Sequence, residues 1–467
     1  MIIIGGGATG VGIAVDAASR GYDVVLLEAS DFGKGTSSRS TKLIHGGVRY
    51  LEQGNVTLVM EALRERGILR QNAPHLVNDL AFVVPNYEWW ESPFYGVGLK
   101  LYDFLAGKYG FGRSKLLSRE DTLARLPNLK TEGLRGGVVY YDGQFDDARL
   151  LIHLALTADA QRATLANYCG VEALSKGAEG YVDGVTMRDL ESADSFEVKG
   201  KVVINATGAF SDSVRRMAES EAQPMIAPSQ GIHLVFDRSF LLGDAAILVP
   251  RTSDGRVLFA IPWHGHTLVG TTDTPITDVT LEPRPLEQEI EFILSTAGLY
   301  LERAPRRTDI LSMWAGIRPL VRSSSGGNTA SLSRDHSIHI DPSGLLTIAG
   351  GKWTTYRNMA EDCVNQAATL AGLPDRPCVT KTLPIHRYDP SDNRSDVSKF
   401  ARNEMARNLD DVFARRSRTL FLNAREALRM APAAADELAR ELGRDRQWAD
   451  AQVREFTAIA SGYLPTS

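Results

Sequence analysis

The run Gly5-Gly6-Gly7-Ala8-Thr9-Gly10 follows the apolar stretch Met1 to Ile4 and opens a helical pattern over residues 8–20. Its spacing is G-x-G-x-x-G, placed between a strand and a helix. Gly5 permits a tight turn, Gly7 lets backbone approach a pyrophosphate, and Gly10 allows close packing of the helix. Ala8 and Thr9 start that helix, where free N–H groups and a partial positive charge attract an anion. Asp23 to Glu28 form a second apolar run, with Glu28 eighteen residues after Gly10. An acid there accepts hydrogen bonds from an unphosphorylated ribose. The segment therefore predicts a dinucleotide site for FAD or NAD rather than NADP.

At 467 residues the chain exceeds the usual ceiling for one hydrophobic core, so two or three domains are expected. A net charge of −5 leaves no basic surplus to offset phosphates, which argues against a nucleic-acid partner. Cys169, Cys363 and Cys378 form no C-x-x-C pair. They suit a reducing compartment and argue against a zinc site or a dithiol mechanism. No apolar run reaches the roughly 18 residues of a membrane-spanning helix, and no signal peptide is visible. The start at the strand itself is compatible with a lost or trimmed N-terminus.

Three more segments bear on the choice between FAD and NAD. The loop Gly33 to Lys42 carries the hydroxyls of Thr36, Ser37, Ser38, Ser40 and Thr41. Ala206-Thr207-Gly208 ends a short buried strand, Lys201 to Asn205, and faces the same crevice if the sheet is doubly wound. Gly350-Gly351-Lys352 opens a helix far along the chain, with Thr354 just beyond. An extended cofactor touched at such distant places fits FAD better than NAD. Helical patterns are also read over 55–72 and 146–166. Alternating runs over about 220–345, such as His233–Phe236, Val257–Ile261 and Thr267–Thr271, predict an antiparallel sheet. From about 396 the chain reads as helical, after a polar linker at 389–395.

The run Gly35 to Glu52, with His45, Gly46, Gly47, Arg49 and Tyr50 in it, resembles the signature of FAD-dependent, quinone-linked glycerol-3-phosphate dehydrogenases. So do Trp314-Ala-Gly-Ile-Arg318-Pro-Leu and Gly350-Gly-Lys352-Trp-Thr-Thr355-Tyr-Arg. The stretch Glu404 to Arg416 resembles the C-terminal helical domain of that family. The likeness spans 1–390 and 400–464; a shortened passage near 389–400 and the abrupt start depart from it. It implies an α/β flavin domain of the glutathione-reductase (Rossmann) type, an antiparallel-sheet substrate domain and a C-terminal helical domain. The expected segments are 1–80, 140–220 and 340–388 for FAD, 81–139 and 221–339 for substrate, and 396–467 for the helices. It also implies FAD as cofactor and oxidation of sn-glycerol 3-phosphate to dihydroxyacetone phosphate. Electrons would pass to a quinone from a peripheral position on the cytoplasmic face of the cell membrane. An oxidase delivering electrons to oxygen and a related amino-acid oxidase are the rival readings. The oligomeric state is open, a homodimer included.

Such a reaction needs a cation for phosphate and an acceptor for the hydroxyl proton. Arg318 and Arg334 are the first candidates for phosphate, Arg49 and Lys352 the second. His233, after Ser229-Gln-Gly, is the preferred base, with His45 as the alternative; Tyr50 is placed on the substrate. The expected cofactor contacts are Gly5, Gly7, Ala8, Thr9, Gly10, Glu28, Thr36, Ser37, Ser38, Ser40, Thr41, Lys42, Gly46, Gly47, Ala206, Thr207, Gly208, Gly351, Lys352 and Thr354. Residues 89–112, from Trp89 and Trp90 through Phe104 and Phe111 with Lys100, Lys108 and Arg113, read either as core packing or as a bilayer-interface segment.

Overall fold

A computed structural model describes residues 1–47, 55–88, 91–250, 252, 256–322, 336–388 and 394–465. Arg49, Tyr50, Trp89, Trp90 and Arg334 lie outside the described residues, as do the side chains of Phe94, Tyr95 and Lys108.

Ile2, Ile3 and Ile4 have apolar side chains on both faces, which suits a strand covered on both sides. They form the middle of a six-stranded sheet in the order 336–340, 346–350, 203–205, 2–4, 25–27, 164–166. Pairing is parallel from 346–350 onward, with Ile3 opposite both Ile204 and Leu26; the edge strand His336–Ile340 runs antiparallel. The helix Ala8–Ser19 packs on one face beside Asp147–Ala160 and Tyr356–Leu370. Gly12 makes this close, since a Cβ there would lie 2.9 Å from the Tyr356 ring.

The other face departs from a doubly wound sheet. It is covered by an antiparallel meander, Cys169–Lys176, Val182–Asp189 and Ser195–Lys199, together with the short helix Ser211–Ala218. The pattern read as helical to 166 also divides. The helix stops at Ala160, and Thr164–Ala166 pairs with the second strand as a sheet edge.

A second sheet holds the strands 43–44, 77–86, 136–145, 226–237, 246–249, 258–263, 266–270 and 274–275 along one path. Ser312–Val321 pairs along nearly the whole of Ile226–Asp237. It is antiparallel except where Ala246–Ile247 runs parallel to Phe82–Val83. A helix, Glu287–Tyr300, lies within the region read as strands alone. The helices Asp396–Asn403, Ala424–Glu441 and Arg446–Ala460 share a core with this sheet, joined by Phe413 and Phe421 from the short turns between the first two.

His153 sits where the Asp147–Ala160 helix meets the 385–388 segment. It is 3% exposed, its Nδ1 is 2.7 Å from the His386 carbonyl and its Nε2 is 3.2 Å from Arg149 Nη2. That pattern requires a neutral ring, donating to the carbonyl and accepting from the guanidinium. Burial, and then the Arg149 charge, pull it down to about 4. The unfolded chain takes up this proton below its ordinary value of about 6.5, while the fold refuses it until about 4. Stability is therefore expected to fall as pH drops through that window. Denaturant melts of the native protein and of His153→Gln check it: the variant's curve should be flatter there, and equal slopes would contradict the assignment.

Candidate active site

A cavity of about 580 Å³ opens where the carboxyl ends of the parallel strands meet the second sheet. Its lining begins at Glu28 and Ser30, passes Gly5, Gly7, Ala8 and Thr9, and continues along Thr36 and Ser37. Ala206, Thr207 and Gly208 face it from the neighbouring strand. It ends among Thr41, His45, His233, Arg318, Lys352 and Thr354.

The glycine turn is built to a tolerance that excludes side chains. Gly5 has φ +108°, and a Cβ on it would lie 2.7 Å from the Ala206 carbonyl oxygen. A Cβ on Gly10 would sit 1.9 Å from the Gly5 carbonyl oxygen. Gly10 thus lets the helix close on its own turn and does not line the cavity. Ser37 Oγ accepts from Ala8 N–H at 2.9 Å, so the hydroxyl loop caps the first helix from a distance. The Trp353 indole N–H donates to the Ser37 carbonyl at 2.8 Å, and Thr36 Oγ1 donates to Ile317 O at 2.5 Å, fastening the loop to two other segments.

Glu28 closes the far end. Its carboxylate accepts from Gly6 N–H at 2.6 Å and Ser30 N–H at 2.8 Å. Burial raises its pKa above the usual carboxylate range, while these two bonds favour the charged form. A carboxylate, a helix N-terminus, a line of hydroxyls and a second glycine turn thus follow one another along one elongated cavity. That sequence of groups fits the ribose, pyrophosphate and ring of FAD.

Alternation along a strand assembles the opposite end. His233 pairs with Trp314, Gly231 with Gly316 and Ser229 with Arg318. The Arg318 guanidinium donates to Thr272 O at 2.9 Å and Thr271 Oγ1 at 3.3 Å, and lies 3.4 Å from Asp273. Gly231 leaves it room, since a Cβ there would be 2.3 Å from Arg318 Nη2. Nearby, His233 Nε2 is 2.9 Å from Thr41 Oγ1, and its ring stacks on Trp314 with centroids 4.2 Å apart. Its Nδ1 has no hydrogen-bond partner among the described residues. Burial holds His233 well below the usual imidazole range, helped by the charges of Lys42 and Arg318. The ring is neutral at physiological pH.

Several expected cofactor contacts face elsewhere. Lys42 is fully buried behind the cavity, with Nζ 2.8 Å from both Asp147 oxygens. A lysine excluded from water is retained by a counter-charge, and Asp147 supplies it. Ser38 turns its carbonyl to Lys42 and does not line the cavity. Gly46 packs against Tyr102 and Leu63, and Gly47, with φ +76°, is likewise off the wall. Ser40, Gly351, Lys352 and Thr354 do line it, and Thr354 Oγ1 lies 3.5 Å from the His45 carbonyl. Trp314, which heads one of the family motifs, and Gly231, Thr272 and Asp273 carry no role among the expected site residues. For Trp314 and Gly231 the signal was available: each lies an even number of residues from a candidate on the same strand.

The carboxyl end of the chain secures the cofactor loop. Asp31, 0% exposed, accepts from Arg416 Nη2 at 2.8 Å and also pairs with Arg415. Arg415 in turn reaches Asp410 at 2.9 Å and Asp411 at 2.8 Å. Asp31 follows Ser30 and Glu28, so this buried network ties the helical unit to the ribose end of the cavity.

Residues 1–357 match the family described as FAD dependent oxidoreductase, and residues 387–449 match the C-terminal domain of alpha-glycerophosphate oxidase. The chain is 47% identical over 397 residues to "Glycerol-3-phosphate dehydrogenase, mitochondrial" of Rattus norvegicus, covering 82% of this chain and 54% of the relative. It is 46% identical over 394 residues to a probable mitochondrial glycerol-3-phosphate dehydrogenase of Caenorhabditis elegans, with the same coverage. The chain thus spans about half the length of these curated relatives. Among solved structures, the FAD complex of a Bacillus halodurans glycerol-3-phosphate dehydrogenase superposes with a TM-score of 0.81 at 28% identity, covering 99% of this chain and 94% of that one. With the glycine turn, Glu28 and the elongated cavity all in place, the chain belongs to the FAD-dependent oxidoreductase family, and its cofactor is FAD.

Proposed function

We propose that the protein oxidises sn-glycerol 3-phosphate to dihydroxyacetone phosphate and passes the electrons to a membrane quinone. The observation that carries this reading is the pairing of Arg318 with a neutral His233 at the end of the cavity opposite Glu28. FAD, when bound, supplies the acceptor for the hydride leaving C2 of the substrate. The chain's own groups do the rest. Arg318, braced by Thr272 and Asp273, supplies a charge-assisted fork for the phosphate, with Lys352 as a second cation. His233 accepts the hydroxyl proton, a task for which an uncharged imidazole is suited. His45 lines the same end and is assigned to substrate or flavin orientation. Arg49 and Tyr50 remain proposals resting on their motif, and Arg334 one resting on its charge alone. The names of the relatives and of the Bacillus halodurans structure support the same substrate.

Contact with the membrane is proposed at the helix Glu91–Ala106. Leu99, Tyr102 and Ala106 are buried, while Phe104 is 81% and Leu101 48% exposed, with Leu116 nearby at 59%. The helix thus packs on one side and offers apolar groups on the other. Among the described residues no helix is long and apolar enough to cross a membrane. Replacing both Leu101 and Phe104 by Ser should shift the protein from pellet to supernatant in co-sedimentation with anionic vesicles. Unchanged recovery with the pellet would place the contact elsewhere.

The reaction itself is checked by steady-state turnover with sn-glycerol 3-phosphate and a short-chain quinone. Stoichiometric dihydroxyacetone phosphate is expected, and peroxide under air is not. Turnover with glycine or L-proline in place of the phosphate ester would overturn the substrate assignment.

A further inference from the structure

Lys42 and Asp147 form a closed charge pair against the cavity wall, and no step of the proposed reaction uses it. Both side chains are 0% exposed. Lys42 Nζ donates to both Asp147 oxygens at 2.8 Å and to Ser38 O at 2.6 Å. Three rings surround the ammonium, Trp263 at 5.0 Å, Trp314 at 4.8 Å and Phe421 at 5.2 Å. Burial draws Lys42 down and Asp147 up from their ordinary ranges. Against that, three oxygen acceptors and three ring faces converge on Nζ and favour the ionic form.

Two connections run from this pair to His233. Asp147 Oδ2 accepts from Ser40 Oγ at 2.6 Å and Ser40 N–H at 3.1 Å, and the next residue, Thr41, holds His233 Nε2 at 2.9 Å. Trp314, one wall of the ammonium cage, is also the ring on which His233 stacks, at an interplanar angle of 23°. We propose that Lys42 is a positioning residue for His233: clamped by Asp147, it fixes Ser40 and Thr41 against the imidazole and stations a permanent positive charge behind Trp314 that opposes a second one on the ring. This rests on the reading of His233 as the proton acceptor.

The arrangement answers a specific difficulty. A phosphate dianion bound beside an imidazole draws a proton onto it and removes the base. A fixed cation on the protein side offsets that pull. The charges facing His233 are Lys42 and Arg318. Those facing Lys42 most strongly among the described residues are Asp147, Asp146 and Arg39. Asp146 is itself occupied by Arg418 at 2.8 Å and His264 at 3.0 Å, which leaves little negative charge to reach the ring.

The test is NMR of the FAD-loaded protein labelled with ¹⁵N-histidine, with His233 identified by the signal lost in His233→Gln. In Lys42→Met the imidazole is expected to protonate at a pH about one unit or more above the native protein. The double variant Lys42→Met, Asp147→Leu removes the pair as a unit and leaves no buried charge unpaired, so it serves where the single variant does not fold. The same upward direction is expected of it. In the double variant a merely structural lysine would lower the melting temperature and leave the titration where it was. Coincident curves, flat ones included, overturn the proposal. The titration needs no substrate, so a shifted curve supports it even in a protein that sn-glycerol 3-phosphate does not reduce.

Discussion

Arg318→Ala is expected to lower kcat/KM for sn-glycerol 3-phosphate by about 100-fold or more, equivalent to roughly 3 kcal/mol of lost transition-state stabilisation. The guanidinium is fixed before substrate arrives. It rests on Thr272 O at 2.9 Å and faces Asp273 at 3.4 Å, in a space that Gly231 leaves open. Little rotamer freedom is left to lose on binding, so the interaction is retained nearly in full. Truncation also leaves Asp273 with Ser229 as its partner, which adds negative charge where the phosphate must sit. Arg318→Lys keeps a charge but not the planar fork, so a smaller loss is expected, mostly in KM. Stopped-flow flavin reduction separates the two variants. Native rates and native KM in Arg318→Ala would remove this residue from the site.

Asp31→Ala should cost the most stability of any single change near the cavity, about 3–5 kcal/mol. It removes a carboxylate shared by two buried guanidinium groups, Arg415 and Arg416, that are 1% and 0% exposed. Arg415 retains Asp410 and Asp411, whereas Arg416 keeps, among the described residues, the Glu404 carbonyl and a carboxylate 3.7 Å away. Because Asp31 continues the Glu28-Ala29-Ser30 segment, the same change should weaken flavin retention. Thermal melts and the flavin released on gel filtration measure the two effects together. A variant that melts and retains flavin like the native protein would show that the carboxyl-terminal helices do not brace the cofactor loop.

The cofactor end was legible from residues because its constraints are local. Glycines at fixed offsets, an apolar strand before them and an acid at the next strand end are readable without knowing what packs where. The outer meander was less so. Cys169 to Lys199 is half-exposed and interrupted by glycines and acids, so its alternation is weak until the sheet beneath is known. Lys42 shows the limit most clearly. Within a hydroxyl-rich loop a lysine reads as a cofactor ligand, and only the fold reveals Asp147 and three aromatic rings closing around it. His233 stands after Ser229-Gln-Gly in the sequence, but its neutrality depends first on burial, with Trp314 stacked on the ring, and then on the charges of Lys42 and Arg318, which reach it across strands or from a distant loop.

The most direct test is an anaerobic titration of the FAD-loaded protein with sn-glycerol 3-phosphate, followed at the visible flavin band. Bleaching of that band, with dihydroxyacetone phosphate formed in step with flavin reduced, is the expected result. A yellow band left unchanged by saturating substrate, or a preparation that binds no FAD at all, would contradict it.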